Sequence, residues 1–149
     1  MIASSIMSAF VGTELPPEVA ARLAGDHVAG FTLFRGHNVV NASQVKALTG
    51  ALQAAAPAGA KPLLIAADQE GGQLIGMGDD TTAFAGAMAL GAAGDEDLAE
   101  RVALAMGREL RAMGVNLFTL PALTGDIQFQ GRLPVPLGDL YRRGHGVVQ

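Results

Sequence analysis

The sequence predicts an α/β protein with a parallel sheet, and three observations support that fold class. The chain has 149 residues, 50% of them hydrophobic, which is enough for one domain with a buried core. Short apolar runs alternate with longer segments of helical periodicity. The run at residues 63–67 is continuously apolar, as expected for a parallel strand covered on both faces. We therefore expect the order β-α-β-α-β-(loop)-α-β.

The first predicted elements are a strand, a helix and a second strand. An apolar run over residues 6–11 indicates the first strand. The helix is expected to begin at Pro16–Glu18, because proline is tolerated in a first turn and an acidic residue there suits the helix dipole. Val19 and Leu23 supply its apolar side. Residues 31–34 indicate the second strand.

The second helix carries a clear start signal. Asn41 is the expected N-cap, and Gln44 three positions later completes a pattern like a capping box. Apolar residues follow at helical spacing: Val45, Leu48 and Leu52. Pro57–Gly59 should end the helix before the third strand at residues 63–67.

Acidic residues at Asp95–Asp97 indicate the start of a further helix. Its apolar stripe is Leu98, Val102, Ala105, Met106, Leu110 and Met113. Gly114 should end it, and residues 115–120 indicate the fourth strand. From residue 128 onward, closely spaced prolines and glycines fit neither an ordinary helix nor a central strand. We expect a domain over residues 1–127 and an extended tail over 128–149.

Composition narrows the function classes. Ten basic and 14 acidic residues give a net charge of −4, so no basic surface for nucleic acid is expected. The absence of cysteine excludes disulfides, thiolate catalysis and cysteine-based metal sites. Mean hydropathy is +0.32, yet no apolar run approaches the ~20 residues of a membrane-spanning helix. We expect a cytoplasmic protein that binds neither nucleic acid nor membrane.

The candidate site follows the third strand, where function in parallel α/β proteins concentrates. Asp68 and Glu70 project to the same side if the extended backbone persists, and Gly71–Gly72 then allow a sharp turn or close approach of a ligand. The two carboxylates could accept hydrogen bonds from sugar hydroxyls or bind a cation. On spacing alone, two solvated loop acids are the simpler interpretation.

Other candidate sites are incomplete. The glycines of residues 71–78 suggest a phosphate-binding loop, but neither a dinucleotide-binding fingerprint nor a Walker lysine is present. His27, His37 and His145 lack the spacing of a metal site, so no metal is expected. An unrelated phosphate-binding α/β protein remains an alternative of lower rank.

Five segments, in order over about residues 5–123, resemble motifs of glycoside hydrolase family 3. Residues 63–72 end in the family's DQEGG, and the other four segments are 6–15, 30–38, 84–91 and 108–116. The last of these, RELRAMGVN, is similar to the family's xELRAxGxN before strand four. The resemblance is closest to the β-N-acetylhexosaminidase branch.

The resemblance implies a (β/α)8 barrel that hydrolyses β-linked sugars with retention, through a covalent glycosyl-enzyme intermediate. It implies that Asp68 contacts hydroxyls of the sugar, and we group Glu70 with it as substrate-binding. Neither a metal ion nor an organic cofactor is implied.

The chain also departs from the family pattern. Gln73 stands where the family has an arginine, and Thr124 stands where it has an aspartate. A (β/α)8 barrel takes ~250 residues, and the family's nucleophile and acid/base map to no residue of this chain. The tail resembles the C-terminus of longer members. We therefore expect part of a barrel, about four parallel strands, that is inactive alone.

Two further expectations concern the alternative function and the assembly. The alternative to a glycosidase is a non-catalytic sugar-binding protein or a structural remnant. Four parallel strands from a barrel leave two edges and one apolar face open, and such surfaces favour association. We expect a homodimer or higher oligomer in which Leu33, Leu64, Ile65 and Leu117 depend on the partner for burial.

Overall fold

The computed structural model describes residues 6–25 and 28–119. Within them, a sheet of five strands is accompanied by five helices. The strands are β1 (Met7–Ser8), β2 (Gly30–Leu33), β3 (Leu64–Gly71), β4 (Leu74–Ile75) and β5 (Leu117–Thr119). The helices are α1 (Pro17–Gly25), α2 (Arg35–Asn38), α3 (Ala42–Ala55), α4 (Ala87–Ala93) and α5 (Glu96–Ala112).

Four strands run parallel in the order β1-β2-β3-β5. The two inner strands, β2 and β3, pair without interruption from Gly30 opposite Leu64 to Leu33 opposite Ala67. β4 is antiparallel to the end of β3. The predicted α/β class with a parallel sheet is confirmed, and β4 is an addition that the sequence pattern did not predict.

The predicted helix starts are confirmed by their caps. The Gln44 backbone N–H donates to Asn41 Oδ1 at 2.8 Å. The Gln44 side chain reaches back one residue further than a standard capping box, because its Oε1 accepts from the Val40 N–H. At the start of α5, the Leu98 N–H donates to Asp95 Oδ1 at 2.9 Å. These caps satisfy N–H groups that a helix leaves without partners.

The core lies between one face of the sheet and the helices packed on it. Strand side chains alternate between the two faces, and the helix-facing set is almost fully buried: Phe31, Leu33, Ile65 and Ala67. The helices contribute Leu23, Val45, Leu48, Leu52 and Leu110 to the same cluster. The expectation that Leu33 and Ile65 depend on a partner for burial was wrong, because these helices cover them.

The opposite face of the sheet is more open. Leu64 is 42% exposed and Leu117 is 40% exposed, and both lie on the face away from the core. The prediction that the third strand is covered on both faces was therefore wrong at Leu64, because the core helices pack against Ile65 and Ala67 on the other face. We call this side, which includes Leu64, Ala66, Asp68 and Leu117, the open face.

Several boundaries differ from the sequence prediction. β1 is shorter than 6–11, and β5 begins two residues after 115. The short helices α2 and α4 were not predicted; α2 is a single turn closed by His37 and Asn38 N–H groups donating to the Phe34 carbonyl. Residue 120 and the predicted tail at 128–149 lie outside the described residues. No helix in the described part of the chain is long and apolar enough to cross a membrane.

Candidate functional site

The two candidate carboxylates lie at the carboxyl end of β3. The strand is extended as far as Glu70, before Gly71 takes a positive φ, so Asp68 and Glu70 stand on the open face while Gln69 between them points into the protein. Both carboxylates are partly buried, whereas Gln69 is 1% exposed. The sequence prediction that Asp68 and Glu70 project to one side is confirmed.

The buried amide of Gln69 fixes the end of β3. Its Oε1 accepts from the Met77 N–H at 3.1 Å, and its Nε2 donates to Thr81 Oγ1 at 3.1 Å. The Thr81 hydroxyl in turn donates to the Gly78 carbonyl at 2.8 Å. Because a buried amide is costly to leave unpaired, this network holds Gln69 inward and keeps its two neighbours on the open face. The sequence reasoning did not identify this role.

The two glycines after Glu70 turn the chain sharply. Gly71 and Gly72 have φ values of +74° and +59°, a region that favours glycine. A Cβ atom on Gly71 would lie 2.8 Å from the Ala85 carbonyl oxygen, so space also requires glycine there. The Gly72 N–H donates to the Phe84 carbonyl at 2.8 Å. That N–H is thus already engaged, which weakens the phosphate-binding interpretation of this loop.

A carboxylate on α5 holds the loop that crosses these glycines. Glu109 Oε2 accepts from the Thr82 N–H at 3.0 Å, and Oε1 accepts from the Thr82 hydroxyl. Glu109 belongs to the segment that resembles the family's ELRA motif, so its role here is to anchor the loop rather than to face the open side of the sheet.

A second buried amide, Asn38, joins the ends of β1 and β2. Its side chain is 0% exposed. The Phe34 N–H donates to Asn38 Oδ1 at 2.9 Å, and Asn38 Nδ2 donates to the carbonyls of Phe10 at 3.0 Å and Gly12 at 2.9 Å. One side chain therefore fixes the chain where it leaves both strands.

An open depression of about 530 Å³ lies at these two strand ends. It is lined by Ala9, Phe10, Val11, Phe34, Arg35, Gly36 and His37. At its rim, Arg35 forms an ion pair with Asp79 at 2.7 Å. The sequence analysis missed this depression, because its two sides come from segments more than 20 residues apart in the chain.

Of the three histidines considered from the sequence, the structure describes one. His37 is exposed beside the depression, and His27 and His145 lie outside the described residues. Across residues 6–25 and 28–119, no three histidine, aspartate or glutamate side chains are grouped so that they could hold a metal ion. We call the side of the sheet where the parallel strands end the carboxyl edge. There, Asp68 and Glu70 can accept hydrogen bonds from a ligand, and the apolar depression lies beside them.

Comparison with known proteins gives a family match and several relatives. The model of the glycosyl hydrolase family 3 N-terminal domain matches residues 7–127. A protein named beta-hexosaminidase A from Pseudoalteromonas piscicida is 37% identical over 129 residues, which are 83% of this chain and 21% of that protein. The chain thus spans about a fifth of that relative's length.

Solved structures show the same likeness in three dimensions. A family 3 β-N-acetylglucosaminidase from Paenibacillus sp. str. FPU-7 superimposes with a TM-score of 0.75 at 39% identity, covering 80% of this chain and 23% of that one. NagZ from Neisseria gonorrhoeae in complex with N-trifluoroacetyl-D-glucosamine gives a TM-score of 0.69 at 29% identity, and the match covers 76% of this chain and 34% of NagZ.

Proposed function

Because the chain belongs to glycosyl hydrolase family 3, we propose that the carboxyl edge of its parallel sheet binds a β-linked N-acetylhexosaminide. The observation that carries the proposal is the position of Asp68 at the end of β3, on the open face. The names of the relatives, beta-hexosaminidase and β-N-acetylglucosaminidase, favour an N-acetylated hexose over other sugars. Asp68 accepts hydrogen bonds from hydroxyls of that sugar, because an ionised carboxylate accepts strong hydrogen bonds and donates none.

Glu70 has a second role in the same site. It stands two residues after Asp68 on the same face and before the Gly71–Gly72 turn. Alternate residues of a strand are ~6.5–7 Å apart, so the two carboxylates are spaced to contact different hydroxyls of one sugar ring. We assign Glu70 to substrate binding together with Asp68.

We propose that the 149-residue chain binds the sugar without hydrolysing it. Retaining hydrolysis needs a nucleophile and an acid/base about 5–5.5 Å apart on opposite sides of the glycosidic bond. Asp68 and Glu70 project from one strand to one side, which is not that arrangement. In this proposal the parallel strands form part of a (β/α)8 barrel, and the alternative, a purely structural remnant, binds no sugar.

Calorimetric titration with methyl N-acetyl-β-D-glucosaminide tests the binding proposal. The wild-type chain should give a binding isotherm, and Asp68→Asn should weaken binding about tenfold or more, because hydrogen bonds to a charged group contribute about 1.5–3 kcal/mol. Asp97→Asn is the matched control, since Asp97 is an exposed acid in the first turn of α5. Equal binding by wild type and Asp68→Asn contradicts the assignment of Asp68.

An aryl N-acetyl-β-glucosaminide separates binding from turnover. We expect no release of the aryl group above the rate without protein, even with protein at high concentration. Hydrolysis that disappears in Asp68→Asn and persists in Asp97→Asn would show instead that the chain is a complete glycosidase.

We also propose that the open face is covered by a second copy of the chain. Within the described residues, β1 pairs only with β2, and β5 pairs only with β3. A two-fold axis parallel to the strands places β5 of one copy beside β1 of the other, which continues the parallel order in both directions. The arrangement buries Leu64 and Leu117, and it places the Asp68 residues of both copies at the same end of the combined sheet.

Light scattering over a dilution series tests the assembly. The wild-type chain should be dimeric at micromolar concentration, and Leu64→Arg should be monomeric because it places a charge on the open face without entering the core. Leu104→Arg is the control, since Leu104 is 52% exposed on α5. A folded wild-type monomer at every concentration removes this proposal.

A further inference from the structure

The depression at the ends of β1 and β2 lies beside Asp68. Leu33 pairs with Ala67 in parallel register, and Phe34 keeps an extended backbone with φ −118° and ψ 134°. Phe34 and Asp68 directly follow this last pair, and neighbouring strands are ~4.8 Å apart, so the two residues lie side by side. Both side chains point away from buried Leu33 and Ala67, because strand side chains alternate. The Phe34 ring and the Asp68 carboxylate therefore share the open face.

The surface of this depression is largely apolar. Val11 is 74% exposed and Phe34 is 40% exposed, so two large apolar side chains face solvent at one place. The Arg35 guanidinium at the rim is already paired with Asp79 and donates to the Ile75 carbonyl. A hydroxyl-rich sugar ring would exchange hydrogen bonds with water for contacts with carbon here, which is unfavourable. An aromatic or aliphatic group gives up no hydrogen bonds with water when it enters.

The depression is also held in a fixed shape. Asn38 hydrogen-bonds Phe10, Gly12 and Phe34 at once. The ring of Phe10 packs edge-on against Phe31 with centroids 5.5 Å apart, which ties the floor to the core. A ligand that contacts a surface held in this way orders few protein groups on binding, so little affinity is lost to conformational entropy.

We propose that this depression is an aglycone subsite, with the Phe34 ring as the surface on which an aromatic or apolar aglycone packs. The inference rests on the proposed function, because it takes the sugar to be held at Asp68. It deepens that function by assigning a ligand class: β-linked N-acetylhexosaminides whose aglycone is apolar, in preference to those with a small or hydroxyl-rich aglycone. Phe34 and Val11 contact the ligand directly.

Paired NMR titrations with 4-nitrophenyl and methyl N-acetyl-β-D-glucosaminide test the subsite. The wild-type chain should bind the aryl glycoside about three- to tenfold more tightly than the methyl glycoside, since one aromatic contact is worth about that factor. Phe34→Ala should remove the preference, because it weakens binding of the aryl glycoside more than binding of the methyl glycoside. Val11→Ser should reduce the preference, and because Val11 is 74% exposed its loss cannot unfold the core. Leu104→Ala, at an exposed leucine on α5, should retain it.

The outcomes separate this inference from the function it rests on. Equal affinity for the two glycosides, or a preference that survives in both Phe34→Ala and Val11→Ser, overturns the subsite while leaving sugar binding at Asp68 in place. Failure of both glycosides to bind overturns the proposed function and the subsite with it. An aryl preference that is lost in the depression variants and kept in Leu104→Ala supports the subsite.

Discussion

Replacing Asn38 by alanine should be among the most damaging single changes at the carboxyl edge. The side chain is fully buried and makes three hydrogen bonds to the backbone where β1 and β2 end. Asn38→Ala leaves the Phe34 N–H and the carbonyls of Phe10 and Gly12 without these partners. An unsatisfied group costs about 1 kcal/mol or more, so the free energy of unfolding should fall by about 3 kcal/mol.

Asn41→Ala is the matched control for this prediction. It removes an amide of the same chemistry from an exposed N-cap, where one hydrogen bond to the Gln44 N–H is lost. Such a cap is worth about 1 kcal/mol. Urea unfolding followed by circular dichroism compares the two variants, with a slope of about 1–3 kcal/mol per molar urea converting midpoints to free energies. An Asn38→Ala variant no less stable than Asn41→Ala would refute the role given to Asn38.

The remaining predictions concern glycines and one buried hydroxyl, measured by the same unfolding experiment. Gly50→Ala should stabilise the chain by about 0.5–1 kcal/mol, since Gly50 lies within α3 with no atom near an added Cβ; a loss of stability would contradict this. Gly30→Ala should prevent folding, because its Cβ would lie 1.8 Å from the Leu64 carbonyl oxygen; a stably folded variant would mean that β2 and β3 are paired differently. Thr49→Val should lower the free energy of unfolding by about 1–3 kcal/mol, because it removes the hydroxyl that donates to the Met113 carbonyl at 2.8 Å. An unchanged stability would contradict this and would mean that water hydrogen-bonds the Met113 carbonyl instead.

The sequence predicted the elements whose signals are local. Asn41 caps α3 as its spacing to Gln44 indicates, and the acids at 95–97 mark the start of α5, where Asp95 is the cap, because a capping side chain bonds to an N–H only three residues away. The alternation that puts Asp68 and Glu70 on one side follows from the strand backbone alone. These features depend on no distant contact, which is why a single sequence was enough.

Features that depend on distant contacts were missed. β4 is two residues long and pairs with the end of β3, and the buried Gln69 side chain binds Met77 just beyond it, which a residue pattern does not reveal. The depression combines Val11 with Phe34, and their exposure depends on the register of two strands. The sequence predicted that one face of the sheet is open. It did not predict which strand residues lie on that face, because this depends on the helices that cover Leu33 and Ile65.

The most direct test of the account is a map of backbone amide resonances titrated with methyl N-acetyl-β-D-glucosaminide. Sugar binding at the carboxyl edge should shift the amides of residues 67–72 and of Phe34, and in Asp68→Asn the same shifts should need about tenfold or more sugar. Shifts confined to the outer helices α3 and α5, or shifts at residues 67–72 that reach their midpoint at the same sugar concentration in Asp68→Asn as in wild type, would contradict the claim that Asp68 holds the sugar.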